Sequence, residues 1–303
     1  MDNPESHTPS TSFTLASKVK DYFLLIKFTL SFTVVFSCVI CFLLAPKNGY
    51  DWGMIIVIFV AGMLVTGSAN AINQAVEKDT DAMMKRTGTR PVASGRMSQN
   101  EAYTFALISG GLGVMTMWYF FNISSALLSA FSLFLYAFIY TPLKKINSIA
   151  VLIGAFPGAL PCLIGWVAGF YNQPVAWTGG IILFGIQFLW QFPHFWAIAW
   201  VAHQDYSKAG FKLLPADKGP TKFTALQAVM YSVLMIPVGI LPKVFGMTGN
   251  ISLWIVLACN LFMVLQSARL YKEMDIKAAR RVMFSSYIYL PIVLLALLAD
   301  KVL

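Results

Sequence analysis

Apolar residues in this chain run for about 20 positions at a time, instead of alternating or marking one helical stripe. The runs cover residues 22–45, 54–76, 102–121, 124–141, 148–170, 177–201, 224–243, 251–268 and 282–300. A helix of that length crosses a hydrocarbon core of about 30 Å. In lipid the backbone must satisfy its own hydrogen bonds, so runs of this kind form helices. The pattern predicts an all-α polytopic membrane protein with about nine transmembrane helices. Only Asn122 and Ile123 separate the third run from the fourth, which requires a tight helical hairpin. Residues 1–17 are rich in Ser, Thr and Pro and predict a disordered tail. The run that follows is longer than a signal-peptide core, and no small-residue cleavage site stands out. The tail is therefore expected to be retained, with one membrane domain over 18–303.

Composition agrees with this pattern. Hydrophobic residues make up 58% of the 303 residues, charged residues 12%, and the mean hydropathy is +0.69. A soluble domain carries about 25% charged residues, so soluble, disordered and secreted disulfide-rich classes are excluded. The net charge of +9 is explained by position. Lys18 and Lys20 precede the first run; Lys78, Lys85, Arg86, Arg90 and Arg96 follow the second; Lys144 and Lys145 follow the fourth. Lys208, Lys212, Lys218 and Lys222 follow the sixth, and Arg269, Lys272, Lys277, Arg280 and Arg281 follow the eighth. The other side holds only Lys47, Lys243 and Lys301. Every second loop is basic, the pattern of a cytoplasmic N-terminus and an odd number of crossings. The charge reports topology, with some capacity for an anionic substrate, and predicts no nucleic-acid partner.

Cys38 and Cys41 form a CxxC inside a span, and Cys162 and Cys259 also lie in spans, so they read as small apolar residues and not as a zinc or disulfide framework. Gly154 and Gly158 make a close-packing face on the fifth span.

Acids are scarce, 13 in all, and they gather in two loops. Asn73, Glu77 and Asp81 fall at i, i+4 and i+8. On a helix they drift about 40° per step and line one face over about 12 Å. Two carboxylates and an amide at a membrane helix end are costly unless they bind something. Oxygen ligands on one face suit Mg²⁺, which takes one or two carboxylates plus substrate phosphates. Arg86 and Arg90 follow closely and could grip phosphate oxygens. Lys78, Asp79 and Lys85 read as solvated boundary residues.

The second loop follows Gln187-Phe-Leu-Trp-Gln191-Phe-Pro193-His194-Phe195-Trp196 and contains Asp205-Tyr206-Ser-Lys208-Ala-Gly210. Relative to Gln187, a continuous helix puts Gln191 at about 40°, His194 at about −20° and Asp205 at about 0°. If the helix continues past Pro193, this is one polar stripe facing the bundle interior. His203 reads as solvated, and His7 lies in the tail.

Taken together, the residues describe an intramembrane site for a lipid-like diphosphate, with Mg²⁺ bridging carboxylates and phosphate and an apolar bundle holding the hydrocarbon tail. Ionising an allylic diphosphate needs neutralisation of the leaving group and a dry cavity.

The pattern N-x-x-x-[DE]-x-x-x-D resembles the first motif of the intramembrane UbiA-type prenyltransferases. The stretch Asn70-Ala-Ile-Asn73-Gln74 through Asp81-Ala-Met-Met84-Lys-Arg86-Thr87-Gly-Thr-Arg90-Pro91-Val-Ala-Ser-Gly95 resembles their haem-farnesylating branch. Tyr140-Thr141-Pro142-Leu-Lys144-Lys145, Gly165-Trp166, Trp190 through Trp196 and Asp205 through Gly210 carry the same likeness, which extends over about 20–300. The resemblance implies a nine-helix UbiA-type bundle with a central cavity, in a bacterial cytoplasmic (inner) membrane with the site facing the cytoplasm. It also implies farnesyl diphosphate and haem B as substrates, Mg²⁺ as cofactor, and haem O with diphosphate as products. Further partners would be membrane lipid and, downstream, a haem A synthase or terminal-oxidase assembly factors.

On that resemblance Asn73, Glu77, Asp81 and Asp205 would hold Mg²⁺ and the diphosphate. Arg86, Arg90 and Lys144 or Lys145 would stabilise the leaving group or pair with haem propionates. Gln187, Gln191, Tyr206 and Lys208 would contact substrate. His194 would ligate the haem iron, orient the macrocycle or position water. Two departures stand out. Glu77 occupies a position where many relatives have Asp, and Val201 stands four residues before Asp205, so the paired D-x-x-x-D of quinone-pathway relatives is missing. A quinone-type prenyltransferase shares the bundle and first motif. A transporter shares the helix count, but no inverted repeat is visible and both acidic sites lie at one membrane face.

Overall fold

The computed structural model describes residues 15–46, 51–215 and 219–302. Most of the expected tail, together with His7, Lys47 and Lys218, lies outside the described residues, whereas Leu15–Ser17 already belong to the first helix. The elements are α1 (Leu15–Leu25), α2 (Phe28–Leu44), α3 (Trp52–Val76), α4 (Lys78–Ala82), α5 (Gln99–Phe120), α6 (Ile123–Phe134), α7 (Thr141–Leu143), α8 (Ala150–Ala168), α9 (Trp177–Val201), α10 (His203–Lys208), α11 (Lys222–Val244), α12 (Asn250–Glu273) and α13 (Ile276–Ala299). A π-helical turn over Leu135–Tyr140 joins α6 to α7, making one span of Ile123–Leu143. Among the described residues, extended pairing is limited to one isolated bridge between Thr248 and Lys301.

Seven segments are long and apolar enough to cross a membrane, and α1 with α2 makes an eighth, bent by 51° at its break. The remaining run is occupied by α5, whose polar first turn and Gly110, Gly111 and Gly113 dilute its apolar character. A helix therefore stands at each expected run, while the count supported by length and composition is seven to eight. The hairpin between α5 and α6 is as tight as expected. Asn122 caps α6 by accepting from Ser125 N at 2.8 Å and donates to Val167 O of α8 at 2.9 Å.

The helices pack in a closed circuit in which α3 meets α5, α11 meets α12, and α13 returns to α2. The most buried spans are α8 and α9, which pack on one another. Leu107, Ile108, Tyr119, Leu261, Leu265 and Ile288 remain exposed on outer faces, as a lipid-facing surface requires. Lys301, just after α13, donates to Leu43 O and Ala45 O at the end of α2 (2.9 and 2.8 Å). The first and last spans thus end at the same face, as an odd number of crossings demands.

Polar side chains inside the bundle bond across helices. Tyr289 Oη donates to Asn260 Oδ1 at 2.6 Å, and Asn260 Nδ2 donates to Met235 O at 3.0 Å. Bonds of this kind contribute about 0.6 kcal/mol each in a membrane bundle. Gly158 lets α8 approach α9 so closely that a Cβ there would collide with the Gln191 side chain.

The break between α1 and α2 has a specific cause. Lys27 adopts a left-handed conformation (φ 48, ψ 58), which interrupts the helix inside the first apolar run. The released carbonyls are taken up by α3: Gln74 Nε2 donates to Leu24 O and Leu25 O (2.8 and 2.9 Å), and Asn70 Nδ2 donates to Ile26 O (3.1 Å). Non-helical backbone is tolerated at membrane depth only when capped in this way.

Candidate active site

A cavity of about 440 Å³ opens among α2, α3, the π-helical turn, α9 and α13. Its polar wall begins with Asn73, Glu77 and Asp81, all buried. The expectation of one straight helix through these residues needs correction, because α3 ends at Val76 and Glu77 is a junction residue (φ −93, ψ 13) before α4. The bonds Glu77 N to Asn73 O (3.0 Å) and Asp81 N to Glu77 O (2.7 Å) nevertheless keep helical spacing across the junction. All three side chains consequently reach the same cavity.

Each of these residues has a basic neighbour. Lys27 Nζ donates to Asn73 Oδ1 at 2.7 Å, and Asn73 Nδ2 lies 3.5 Å from Thr141 Oγ1. Glu77 Oε1 pairs with Lys144 Nζ at 2.5 Å. Lys144 Nζ also sits over the rings of Tyr140 and Phe211, at 4.9 and 5.3 Å from their centroids. Arg90 NH1 donates to Asp81 Oδ2 at 2.6 Å, whereas Asp81 Oδ1 is buried with no hydrogen-bond partner. Arg86 NH2 donates to Tyr206 Oη at 3.1 Å. Lys27, Arg86, Arg90 and Lys144 against Glu77 and Asp81 leave a formal excess of two positive charges (four less two) on the lining, a field that favours an anion.

Loop 83–98 places Arg86 and Arg90. Thr87 Oγ1 donates to Asp81 O (2.9 Å), and Arg96 Nε donates to Asp21 Oδ1 (3.0 Å) and its NH2 to Thr89 O (3.0 Å). Arg96 therefore ties the loop to α1, while Arg90 turns inward.

The rest of the lining is aromatic and apolar, with Tyr136 and Tyr140 next to Lys144 and with Phe195, Ile198 and Tyr287. The helix α9 does run through Pro193, so His194 faces the cavity as the stripe requires. Its ring stacks on Trp190 (centroids 4.7 Å apart), and Nδ1 lies 2.8 Å from Ser286 Oγ of α13.

Other members of the expected set lie elsewhere. Gln187 and Gln191 turn toward α8: Gln187 Nε2 donates to Gly158 O (3.3 Å) and Gln191 Nε2 to Ala155 O (3.0 Å). The helix breaks at Ala202 (ψ 15), so Asp205 leaves the stripe and sits on α10, half-buried and outside the cavity lining. Its neighbour Tyr206 does line the cavity. Lys145 and Lys208 are exposed and do not line it. A smaller cavity of about 150 Å³, lined by His203 and Lys212, adjoins through Tyr206, Phe211 and Leu213 and has no carboxylate in its lining.

Sequence reasoning missed Lys27, Tyr136 and Tyr287. Lys27 had a visible signal, a lone charge inside an apolar run of 24 residues spanning 22–45, which is costly unless functional. The two tyrosines gave none, because their orientation depends on the π-helical turn and on the packing of α13.

No group of three His, Cys, Asp or Glu side chains is clustered as a preformed cage among the described residues. Glu77, Asp81 and the Asn73 amide, with Asp81 Oδ1 unpartnered, still fit Mg²⁺, which keeps waters and takes substrate phosphates as ligands.

The UbiA prenyltransferase family profile matches residues 34–289, and the chain belongs to that family. Among its relatives is the protein named protoheme IX farnesyltransferase in Cytophaga hutchinsonii, 44% identical over 95% of this chain and the whole of that one. A second bearing that name, from Flavobacterium johnsoniae, is 40% identical over 90% of this chain and 91% of its own. Among solved structures, digeranylgeranylglyceryl phosphate synthase superposes with a TM-score of 0.77 at 24% identity, covering 94% of this chain and 98% of that one. A UbiA homolog from Archaeoglobus fulgidus bound to GPP and Mg²⁺ superposes with a TM-score of 0.70 at 13% identity, covering 91% and 99%. These two likenesses establish the fold.

Proposed function

We propose that this membrane enzyme transfers the farnesyl group of farnesyl diphosphate to a vinyl group of haem B, with addition of water, giving haem O and diphosphate. The observation that carries the reading is the make-up of one cavity. Carboxylates interleaved with four bases share its lining with aromatic rings and one imidazole, in a chain about 40% identical to proteins named for this reaction.

The residues take the following parts. Asn73, Glu77 and Asp81 would hold Mg²⁺, with Asp81 Oδ1 as the oxygen still without a partner. An ion held there would supply the neutralisation of diphosphate charge that weakening the carbon–oxygen bond requires. Lys27, Arg90 and Lys144 bind the remaining phosphate oxygens, and Arg86 with Tyr206 secures the outer end. Tyr136, Tyr140 and Phe195 line the path of the isoprenoid and exclude water from the allylic cation. The vinyl terminal carbon attacks that carbon, and water captures the resulting cation beside the ring with loss of a proton. Asp205, Lys145 and Lys208 flank the lining residues Tyr206 and Lys144 in sequence, where they can supply outer contacts to diphosphate or propionates. The glutamines Gln187 and Gln191 hold α9 in place for His194.

The basic loops support an orientation with the N-terminus and this cavity at the cytoplasmic face of a bacterial cytoplasmic membrane. Expression of the chain in cells lacking haem O, followed by chromatography of extracted haems, tests the function. A haem bearing a hydroxyethylfarnesyl group is expected; its absence from membranes that contain the folded protein would contradict the proposal.

A further inference from the structure

The hydroxyl of Ser286 makes two contacts, and their directions differ. Its Oγ donates to Met283 O at 2.6 Å, and it lies 2.8 Å from His194 Nδ1. A carbonyl oxygen only accepts, and a hydroxyl has one proton. With that proton committed to Met283 O, Ser286 Oγ accepts from His194, and the imidazole proton resides on Nδ1. The neutral ring then carries its lone pair on Nε2.

The ring is also fixed in plane. Trp190 stacks on one face at 4.7 Å, Phe195 meets it at 5.2 Å, and Tyr287 meets it edgewise at 5.2 Å. Ser286 is fully buried, and His194 retains a small exposure, on the cavity. Among the described residues, Nε2 has no protein partner. One immobilised nitrogen lone pair therefore belongs to the lining of the cavity that also holds the carboxylates.

A single imidazole does not make a zinc site, since structural and catalytic zinc ions take three or four protein ligands. No further His, Cys, Asp or Glu joins it to make such a group among the described residues. A single imidazole does suffice for a metal that arrives with its equatorial ligands already in place, as iron does in a porphyrin. We propose that His194 Nε2 is an axial ligand to the iron of the haem substrate, and that Ser286 is the positioning residue that fixes the ligating tautomer. This rests on the haem reading of the cavity and names its point of attachment. Ligation at one face would set the depth of the macrocycle in the cavity. No electrons are transferred in this step; one coordination bond forms.

The test uses the purified full chain in detergent or lipid, titrated with ferric protohaem and followed by absorption and electron paramagnetic resonance, then reduced for resonance Raman. The wild type should bind haem with a nitrogen-ligand signature and an iron–histidine stretch. His194→Gly should lose that signature and bind haem at least tenfold more weakly, with recovery on adding imidazole. Ser286→Ala should keep the ligand while shifting the iron–histidine stretch to lower frequency, because Nδ1–H loses its acceptor; Ser286→Thr should restore it. The Ser286 pair also decides the matter if His194→Gly fails to fold. Haem binding by His194→Gly with unchanged spectrum and affinity, or an iron–histidine stretch unmoved in Ser286→Ala, overturns the ligation and leaves the haem reading standing. A folded wild type that binds no haem at all overturns both.

Discussion

Arg90 donates to Asp81 through Oδ2 alone, at 2.6 Å, and leaves Asp81 Oδ1 buried without a partner. A buried carboxylate oxygen in that state is expensive, and a ligand that supplies a cation relieves it. Asp81→Asn keeps the shape of the side chain and removes the charge. Turnover should fall by about 10²–10³, as for loss of one preorganised electrostatic group, while the circular dichroism spectrum stays that of the wild type. Wild-type turnover in the Asn variant would remove Asp81 from the mechanism.

Lys27 reaches Asn73 from the break in the first span. In Lys27→Met the apolar run becomes continuous in charge, and the cavity loses one base. The KM for farnesyl diphosphate should rise by about tenfold, equivalent to about 1.4 kcal/mol. An unchanged KM would assign Lys27 to the fold alone.

The ion pair of Glu77 with Lys144 is buried on both sides, the side chains being 5% and 9% exposed. Removing one partner of such a pair costs about 3–5 kcal/mol, more than the pair itself contributes. Lys144→Met should therefore lower the melting temperature markedly, and Glu77→Gln added to it should recover much of the loss without restoring turnover. Thermal unfolding in one detergent, measured for the single and double variants, checks this. A Lys144→Met protein as stable as the wild type would show that the pair is not strongly coupled.

The caps on the broken span make a separate prediction about stability. Gln74→Leu removes the side-chain donor to Leu25 O and leaves Leu24 O with Lys27 N alone, at a cost of about 1–3 kcal/mol. Its melting temperature should fall, with an increase in proteolysis between α1 and α2. Equal protection of the variant and the wild type would mean that other groups carry the break.

Much of this organisation was legible in the residues, for physical reasons. The uninterrupted apolar runs announce membrane helices, and spacing by four brought Asn73, Glu77 and Asp81 to one cavity even though α3 ends at Val76. Periodicity measures the direction of a side chain on an ideal helix, and it failed where the backbone departs from one. Lys27 sits at a left-handed break, Tyr136 and Tyr140 in a π-helical turn, and Asp205 beyond the break at Ala202. The glutamines show a different limit. A polar stripe points inward whether its partners are a substrate or the carbonyls of the next helix, and for Gln187 and Gln191 the neighbours are Gly158 O and Ala155 O. The amides of Asn70 and Gln74 were visible as part of a motif, but their task of capping a broken first span depends on a contact across helices.

The central claim is chemical and has a direct readout. Purified protein in lipid is incubated with haem B and farnesyl diphosphate, with Mg²⁺ or with a chelator, and the extracted haem is analysed by mass spectrometry. Conversion to haem O with Mg²⁺, with none under chelation and recovery when Mg²⁺ is returned, is the predicted result. Haem B recovered unchanged in the presence of Mg²⁺ and both substrates would contradict the account.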